Sequence, residues 1–313
     1  MKKRWMNVLR ILISVGALAF LFWKIGLGET LDVLRRADVR YLVAAFLLFV
    51  VSLVIRAYRW LVLLRSLAPS IPFGRLVRLY FVGQFFSSFL PSQFGGDVIR
   101  ALELTQDTDS SAAIGTVLLD RMSGLMVLFV IGLLVLPFYA CQMQPWLVWL
   151  LIGVSGGGLA AGALVLEGRF LRWLTGHLPS ALSLAGQGSL AKIYAAVTNC
   201  GWRAVLGAFG VSAVFNVANI VINWLCGQAV GAGIGLGYFV AVTPLLSISG
   251  LVPSIGGWGV RETVSTAIFA PAGIDPNVSA ALGASLGGVT LAAGLVGGVL
   301  YGLGGLRDLR ARH

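Results

Sequence analysis

Phe85-Phe86-Ser87-Ser88-Phe89-Leu90-Pro91-Ser92-Gln93-Phe94-Gly95-Gly96-Asp97-Val98-Ile99-Arg100 is an apolar run that stops at a proline, passes a double glycine and resumes with an acid and an arginine. The pattern returns as Leu246-Ser247-Ile248-Ser249-Gly250-Leu251-Val252-Pro253-Ser254-Ile255-Gly256-Gly257-Trp258-Gly259-Val260-Arg261-Glu262, with the two prolines 162 residues apart. Proline and glycine break helices in any chain, so one such string says little. Here two strings of the same order each end an apolar run, 76–90 and 237–252. Both runs are shorter than the roughly 20 residues a spanning helix needs. They read as broken helices inside a membrane.

The rest of the chain supports a membrane setting. Of 313 residues, 58% are hydrophobic and 11% charged, and the mean hydropathy is +0.91. A soluble domain carries about 25% charged residues, and a disordered chain needs low hydrophobicity with high charge. Both classes are excluded. The net charge of +11 comes from residues at the ends of apolar runs, where they orient helices and meet anionic headgroups. No aromatic-basic groove for nucleic acid is visible. Cys141, Cys200 and Cys226 form no C-x-x-C and read as buried thiols. His177 in a polar loop and the terminal His313 leave no His-based metal centre, and no cofactor is expected.

Runs long enough to span are about 6–23, 41–64, 112–136, 147–166, 203–230 and 278–304. The expected fold is therefore an all-α polytopic membrane protein, one transmembrane domain over 1–313. It has about six full spans plus two re-entrant broken segments. Met1-Lys2-Lys3-Arg4 followed by an apolar run resembles a signal peptide, but no prompt small-x-small site follows, so it reads as an uncleaved first span. With both termini cytoplasmic, Arg65, Arg75, Arg78, Arg169, Arg172, Lys192, Arg203, Arg307 and Arg310 all fall inside. The loops 138–146 and 231–236 carry no charge, as the positive-inside rule requires. Segment 24–40 falls outside with mixed charge and reads as an amphipathic surface helix. Segment 167–202 reads as an amphipathic cytoplasmic loop joining pseudo-repeat halves of about 41–166 and 203–304. Glycines four apart, Gly153/Gly157, Gly283/Gly287, Gly294/Gly298 and Gly298/Gly302, read as close helix–helix contacts.

Three spans separate the broken segments. An odd number makes one segment open from the cytoplasm and the other from outside, which is the inverted repeat with discontinuous helices found in many transporters. A break in hydrocarbon leaves backbone N–H groups unpaired unless they line a polar cavity. A helix restarting after Gly95-Gly96 or Gly256-Gly257 aims its first N–H groups and its positive dipole end at that cavity. Arg100 or Arg261, one turn on, adds a bidentate partner for phosphate or carboxylate. With Ser92 and Ser254 these residues make a candidate substrate-binding set with apolar walls, suited to a lipid phosphate headgroup.

Other intramembrane charges join them. Asp120 and Arg121 are adjacent in the third span, diverge by about 100° and cannot pair with each other; each needs another partner or water. With Asp97 and Glu262 they form a candidate coupling or gating set. Arg56 and Arg59 lie within snorkelling reach of the inner interface and are candidate headgroup anchors. Plainer roles stand beside each of these. Asp97 reads equally as an N-cap for a helix starting at Val98, Glu262 as a neutraliser of an arginine, Pro91 and Pro253 as helix stops, and Arg100 and Arg261 as snorkelling cations. Asn216, Asn219 and Asn223 share one helix face, for interhelical bonding or for lining the path.

The ordered strings Phe89-Leu90-Pro91-Ser92…Gly95-Gly96-Asp97-Val98-Ile99-Arg100, Asp120-Arg121-Met122-Ser123-Gly124-Leu125 and Pro253-Ser254-Ile255-Gly256-Gly257…Arg261-Glu262 resemble the lysylphosphatidylglycerol synthase transmembrane-region family, also called flippase-like domain proteins. The resemblance runs over about 8–305. It implies a bacterial or archaeal cytoplasmic membrane and a role in moving lipids between leaflets, here without the soluble synthase domain of multidomain members. The leading expectation is a lipid translocase for an anionic phospholipid or polyprenyl-phosphate-linked lipid, with membrane lipids as partners. The rivals are an intramembrane lipid-modifying transferase using Asp97 or Glu262 as base, and a non-catalytic partner docking a separate lipid synthase or glycosyltransferase through 168–202. No nucleotide-binding G-x-x-x-x-G-K-[ST] and no Ser-His-Asp, HExxH or catalytic carboxylate pair is present.

Overall fold

A computed structural model of the chain describes residues 32–310 apart from 69, 91–93, 169–171, 174, 176–183, 185–187, 251 and 253. The expected first span at 6–23, Pro91, Ser92, Pro253, His177 and His313 lie outside the described residues. The described residues are helical, with no strand among them. In chain order the helices are α1 (Val39–Leu64), α2 (Phe73–Phe89), α3 (Phe94–Leu104), α4 (Ser110–Tyr139), α5 (Pro145–Glu167), α6 (Ser189–Asn199), α7 (Trp202–Ala229), α8 (Leu236–Ser249), α9 (Val260–Phe269) and α10 (Pro276–Arg310). Among the described residues, five segments are long and apolar enough to cross a membrane: α1, α4, α5, α7 and Pro276–Leu303 of α10. The chain is a multi-pass membrane protein.

Local chemistry sets the ends. Asp38 caps α1 by accepting from the Arg40 N–H at 2.9 Å, and Asp109 caps α4 by accepting from Ser111 N–H at 2.9 Å. That bond holds the Asp109 carboxyl below its usual range. Pro145 opens α5 and Gly168, at φ +71°, closes it, the usual asymmetry of proline in and glycine out. Along α1 the exposed residues Val43, Leu47, Val51, Val54 and Tyr58 recur every three or four positions, an apolar outer stripe that suits lipid.

The two broken segments are hairpins that turn back. Helix α2 has 17 residues and α8 has 14, so at ~1.5 Å per residue both fall short of a ~30 Å hydrocarbon layer. Arg75 in the first turn of α2 reaches Glu103 near the end of α3 at 3.5 Å and Asp107 just beyond it at 3.0 Å. Entry and exit of the first hairpin thus meet. In the second, Tyr238 near the start of α8 donates to the Ile268 carbonyl near the end of α9 at 3.0 Å, and the Phe239 and Phe269 rings lie 5.2 Å apart.

Helix α10 is the rail for both. A Cβ at Gly283 would stand 3.0 Å from the Glu262 backbone, and one at Gly287 3.0 Å from the Trp258 ring. One at Gly294 would stand 3.4 Å from Phe85 Cα, and one at Gly297 would overlap the Phe81 carbonyl. Following α10 towards its C-terminus therefore passes α9, then the tip of the second hairpin, then the tip of the first, then the body of α2. The bases of the hairpins lie towards opposite ends of α10, and their tips touch. A Cβ on Gly256, at φ +60°, would be 2.6 Å from the Ser88 carbonyl oxygen.

Several expectations are corrected. Gly153, Gly157 and Gly302 meet no other described residue; it is Gly158 and Gly162 that let α5 close on Phe129 and Met126 of α4. Glycine spacing alone carries no direction, and α5 turns its other face to its neighbour. Cys141 is exposed, whereas Cys200 and Cys226 are buried. It sits in the short turn Ala140–Gln142 after α4, past the end of the apolar run. The described part of 24–40 is amphipathic: Asp32, Arg35 and Arg36 are exposed, while Val33 and Leu34 pack on the apolar cluster that includes Leu136, Met143 and Val230. In 167–202, α6 lies against α4, where a Cβ at Gly115 would stand 3.0 Å from Ala196.

Candidate functional site

Where the hairpin tips meet the spans, a cavity of about 250 Å³ opens. Arg56 and Arg59 of α1, Arg100 of α3, Arg121 of α4 and Arg261 of α9 all line it, with Asp97 and Asp120. Five guanidinium groups thus face two carboxylates, an excess of three positive charges. Gly96, Gly256, Ser87, Ser88 and the three asparagines of α7 complete much of the wall.

Most of these charges form one chain of ion pairs. Arg59 Nε donates to Asp120 at 2.7 Å, and Arg100 Nη2 donates to the other Asp120 oxygen at 3.1 Å. Arg100 also lies 3.6 Å from Asp97, which accepts from Arg121. The Tyr80 hydroxyl donates to Asp120 in a short bond. The expectation that Asp120 and Arg121 point to different partners is met: Asp120 serves α1 and α3, and Arg121 serves Asp97. Arg100 lies over the rings of Tyr80 at 3.9 Å and Trp60 at 4.7 Å, which adds cation–π attraction. Trp60, fully buried, gives its ring N–H to Thr116 at 3.2 Å.

Two arginines stand outside the chain. Arg56 lies among the rings of Phe49, Tyr80 and Phe215, 5.3–5.8 Å from their centroids, and its Nε is buried with no partner among the described residues. Arg261, 8% exposed, gives one N–H to its own tip at Gly256 O, 3.2 Å away, and its Nη1 is buried with no partner among the described residues. Neither has a carboxylate within 4.0 Å among the described residues. A buried cation without a contacting counter-charge is costly; Asp120 acts on Arg56 and Glu262 on Arg261 only from beyond ion-pair distance.

The remaining residues are placed as follows. Arg59 does not snorkel; it is 3% exposed and bonds Asp120 and Ser212, because a buried carboxylate on α4 lies within its reach. Asp97 is not the cap of a helix at Val98: α3 begins at Phe94, so Gly95 and Gly96 are helical. Gly96 instead allows α3 to touch Gly83 and Ser87 of α2, and Gly95 packs on Leu90. In the second copy Gly256 and Gly257 do form the turn, at φ +60° and +82°, and α9 starts after Gly259. Glu262 caps α9, accepting from Gly259 N–H at 2.6 Å, and makes no ion pair with Arg261 among the described residues. Gly95, Gly257, Ser254 and Glu262 are not on the cavity wall. Asn216 gives its amide to Gly124 O of α4 at 3.0 Å and Asn219 to Ser247 of α8 at 3.5 Å, both between helices, whereas Asn223 bonds Asn219 O of its own helix at 2.8 Å; all three also line the cavity. Tyr80 was missed. Its signal was there in Tyr80, Gln84, Ser87 and Ser88, a polar stripe at helical spacing on an apolar helix.

Residues 7–298 match the family described as the lysylphosphatidylglycerol synthase transmembrane region. The chain is similar to archaeal proteins named UPF0104 membrane proteins. That of Methanothermobacter thermautotrophicus is 26% identical over 298 residues, 87% of each chain. That of Methanocaldococcus jannaschii is 24% identical over 282 residues, 82% of each chain. One from Pyrococcus horikoshii is 27% identical over 152 residues, 47% of this chain and 45% of that protein. With the matched region covering most of its length, this chain belongs to the lysylphosphatidylglycerol synthase transmembrane-region family.

Proposed function

We propose that this protein is a lipid translocase that moves a lipid with an anionic headgroup between the leaflets of a bacterial or archaeal cytoplasmic membrane. The headgroup occupies the cavity between the hairpin tips while its tails stay in the bilayer. The observation that carries this reading is the convergence of five arginines, from both hairpins and from two spans, on one cavity that holds two carboxylates. Inside a membrane, charged residues of this kind mark substrate and ion paths. The hairpins act as re-entrant elements of an inverted repeat, with three spans, α4, α5 and α7, between them in sequence. The end carrying Arg65, Arg75, Lys192 and Arg203 faces the cytoplasm, so the first hairpin opens inward and the second outward. Alternating access is then a rocking of one hairpin against the other about a fixed site.

The test is leaflet exchange in proteoliposomes containing a tail-labelled anionic lipid and an impermeant quencher. Wild-type protein exposes the inner-leaflet label; Arg261→Ala, folded by size-exclusion profile, leaves it protected. Equal exchange by both proteins removes Arg261 from the mechanism, and no exchange by wild type above empty vesicles for any anionic lipid rejects translocation.

A further inference from the structure

The cavity also narrows the chemistry of its ligand. Resting on the reading of this site as a headgroup pocket, we infer that the ligand is a compact lipid headgroup with at least two negative charges, a phosphomonoester or a diphosphate, rather than a phosphodiester or an aminoacylated phospholipid.

The first support is charge. Within the ion chain, Arg59, Arg100 and Arg121 share Asp120 and Asp97. That leaves one positive charge over from the chain, and Arg56 and Arg261 contribute two more, against which Glu262 acts on Arg261 from beyond ion-pair distance, so the surplus is still at least two. A phosphodiester brings a single negative charge, and a lysyl ester on it brings positive charge to a site already in excess. A phosphomonoester carries about −1.5 to −2 at neutral pH, and a diphosphate carries more. The two unpaired guanidiniums come from different elements, α1 and the second hairpin, so two charges on one ligand can meet two separate donors. Each guanidinium offers the forked geometry that phosphate oxygens accept.

The second support is size. The cavity measures about 250 Å³. It lies below the roughly 300–1,000 Å³ of pockets for drug-sized ligands. One or two phosphoryl groups fit that space.

The experiment is equilibrium binding to the purified full chain in a non-ionic detergent. The probes are a short-chain prenyl monophosphate, its methyl diester, the matching diphosphate, phosphatidylglycerol, lysylphosphatidylglycerol, and inorganic phosphate and pyrophosphate. The monophosphate and diphosphate are expected to bind at least tenfold tighter than the methyl diester and phosphatidylglycerol. In Arg56→Gln and Arg261→Gln that preference should fall at least threefold, with ligand-free melting no lower than wild type. Should either variant misfold, the monoester–diester pair on wild-type protein still decides. Equal affinity for monoester and diester, or tightest binding of the lysyl lipid, overturns this inference and leaves the anionic-lipid reading intact. Pyrophosphate binding as tightly as the lipid diphosphate makes the ligand a free phosphate and overturns the lipid source. Failure of every anionic lipid to outcompete neutral lipid sinks the translocase reading itself.

Discussion

Replacing Asp120 with asparagine keeps the shape of the side chain and removes one charge, and the cost can be worked from its neighbours. Asp120 is 1% exposed and accepts from Arg59 at 2.7 Å, Arg100 at 3.1 Å and the Tyr80 hydroxyl. After Asp120→Asn, Arg100 keeps Asp97 at 3.6 Å, but Arg59 keeps no carboxylate among the described residues. Removing one partner of a buried pair costs about 3–5 kcal/mol, because the other charge stays buried and uncompensated. Taking ~4 kcal/mol at 1.4 kcal/mol per decade, the unfolded fraction rises about a thousandfold. Reversible unfolding in mixed micelles, followed by tryptophan fluorescence, would read this as a large fall in the midpoint. Adding Arg59→Met removes the stranded cation and should recover at least half of the loss, a coupling of about 2 kcal/mol, within the range for residues in contact. If Asp120→Asn lies within about 0.5 kcal/mol of wild type, as surface changes do, or if Arg59→Met recovers nothing, the ion chain does not hold α1, α3 and α4 together as argued.

Gly297→Ala should destabilise the fold by about 1–3 kcal/mol, the range for overpacking, because its Cβ meets the Phe81 carbonyl backbone of α2. Gly153→Ala and Gly157→Ala, which meet nothing among the described residues, should be neutral or stabilising by up to about 1 kcal/mol each from helix propensity; thermal melts of the three variants check the contrast. In sealed oriented vesicles, an impermeant maleimide should label native Cys141, which is exposed, from the face opposite to an engineered Asp107→Cys, placed on a background without native cysteines. Labelling of both positions from one face would refute entry of the hairpins from opposite sides.

The spans and the breaks were legible because hydropathy over long windows depends on composition alone. The expected runs 41–64, 112–136, 147–166 and 203–230 lie within three residues of α1, α4, α5 and α7. The members of the site were legible because charge in an apolar run stands out: nine of the expected residues, Arg56, Arg59, Gly96, Asp97, Arg100, Asp120, Arg121, Gly256 and Arg261, lie on one cavity wall. Pairings between elements were not legible. Arg59 is 61 residues from Asp120, and no local pattern says which carboxylate a buried cation will find. Tyr80 escaped notice because a tyrosine in an apolar helix reads as core until its hydroxyl is seen to donate to Asp120. Glycine direction failed for the same reason: spacing places Gly153 and Gly157 on one face, and packing decides whether anything lies beyond it.

Two motifs alike in letters differ in chemistry. In the first, Gly95 and Gly96 are part of α3 and close it onto α2, and Arg100 is bound to two carboxylates and two rings. In the second, Gly256 and Gly257 bend the chain at positive φ, and among the described residues Arg261 bonds only the carbonyl of its own turn. The first arginine fastens its hairpin to α4; the second is held by packing on Gly283 and Gly287 of α10 and keeps its charge free. Arg100→Gln should therefore lower ligand-free stability by about 3 kcal/mol or more, as for breaking a buried pair. Arg261→Gln should leave it unchanged or higher, since it removes a buried cation that is in no ion pair among the described residues, while reducing the gain in melting temperature that an anionic ligand gives. Equal losses of ligand-free stability in the two variants would mean that Arg261 has a counter-charge after all, and the asymmetry between the hairpins would go with it.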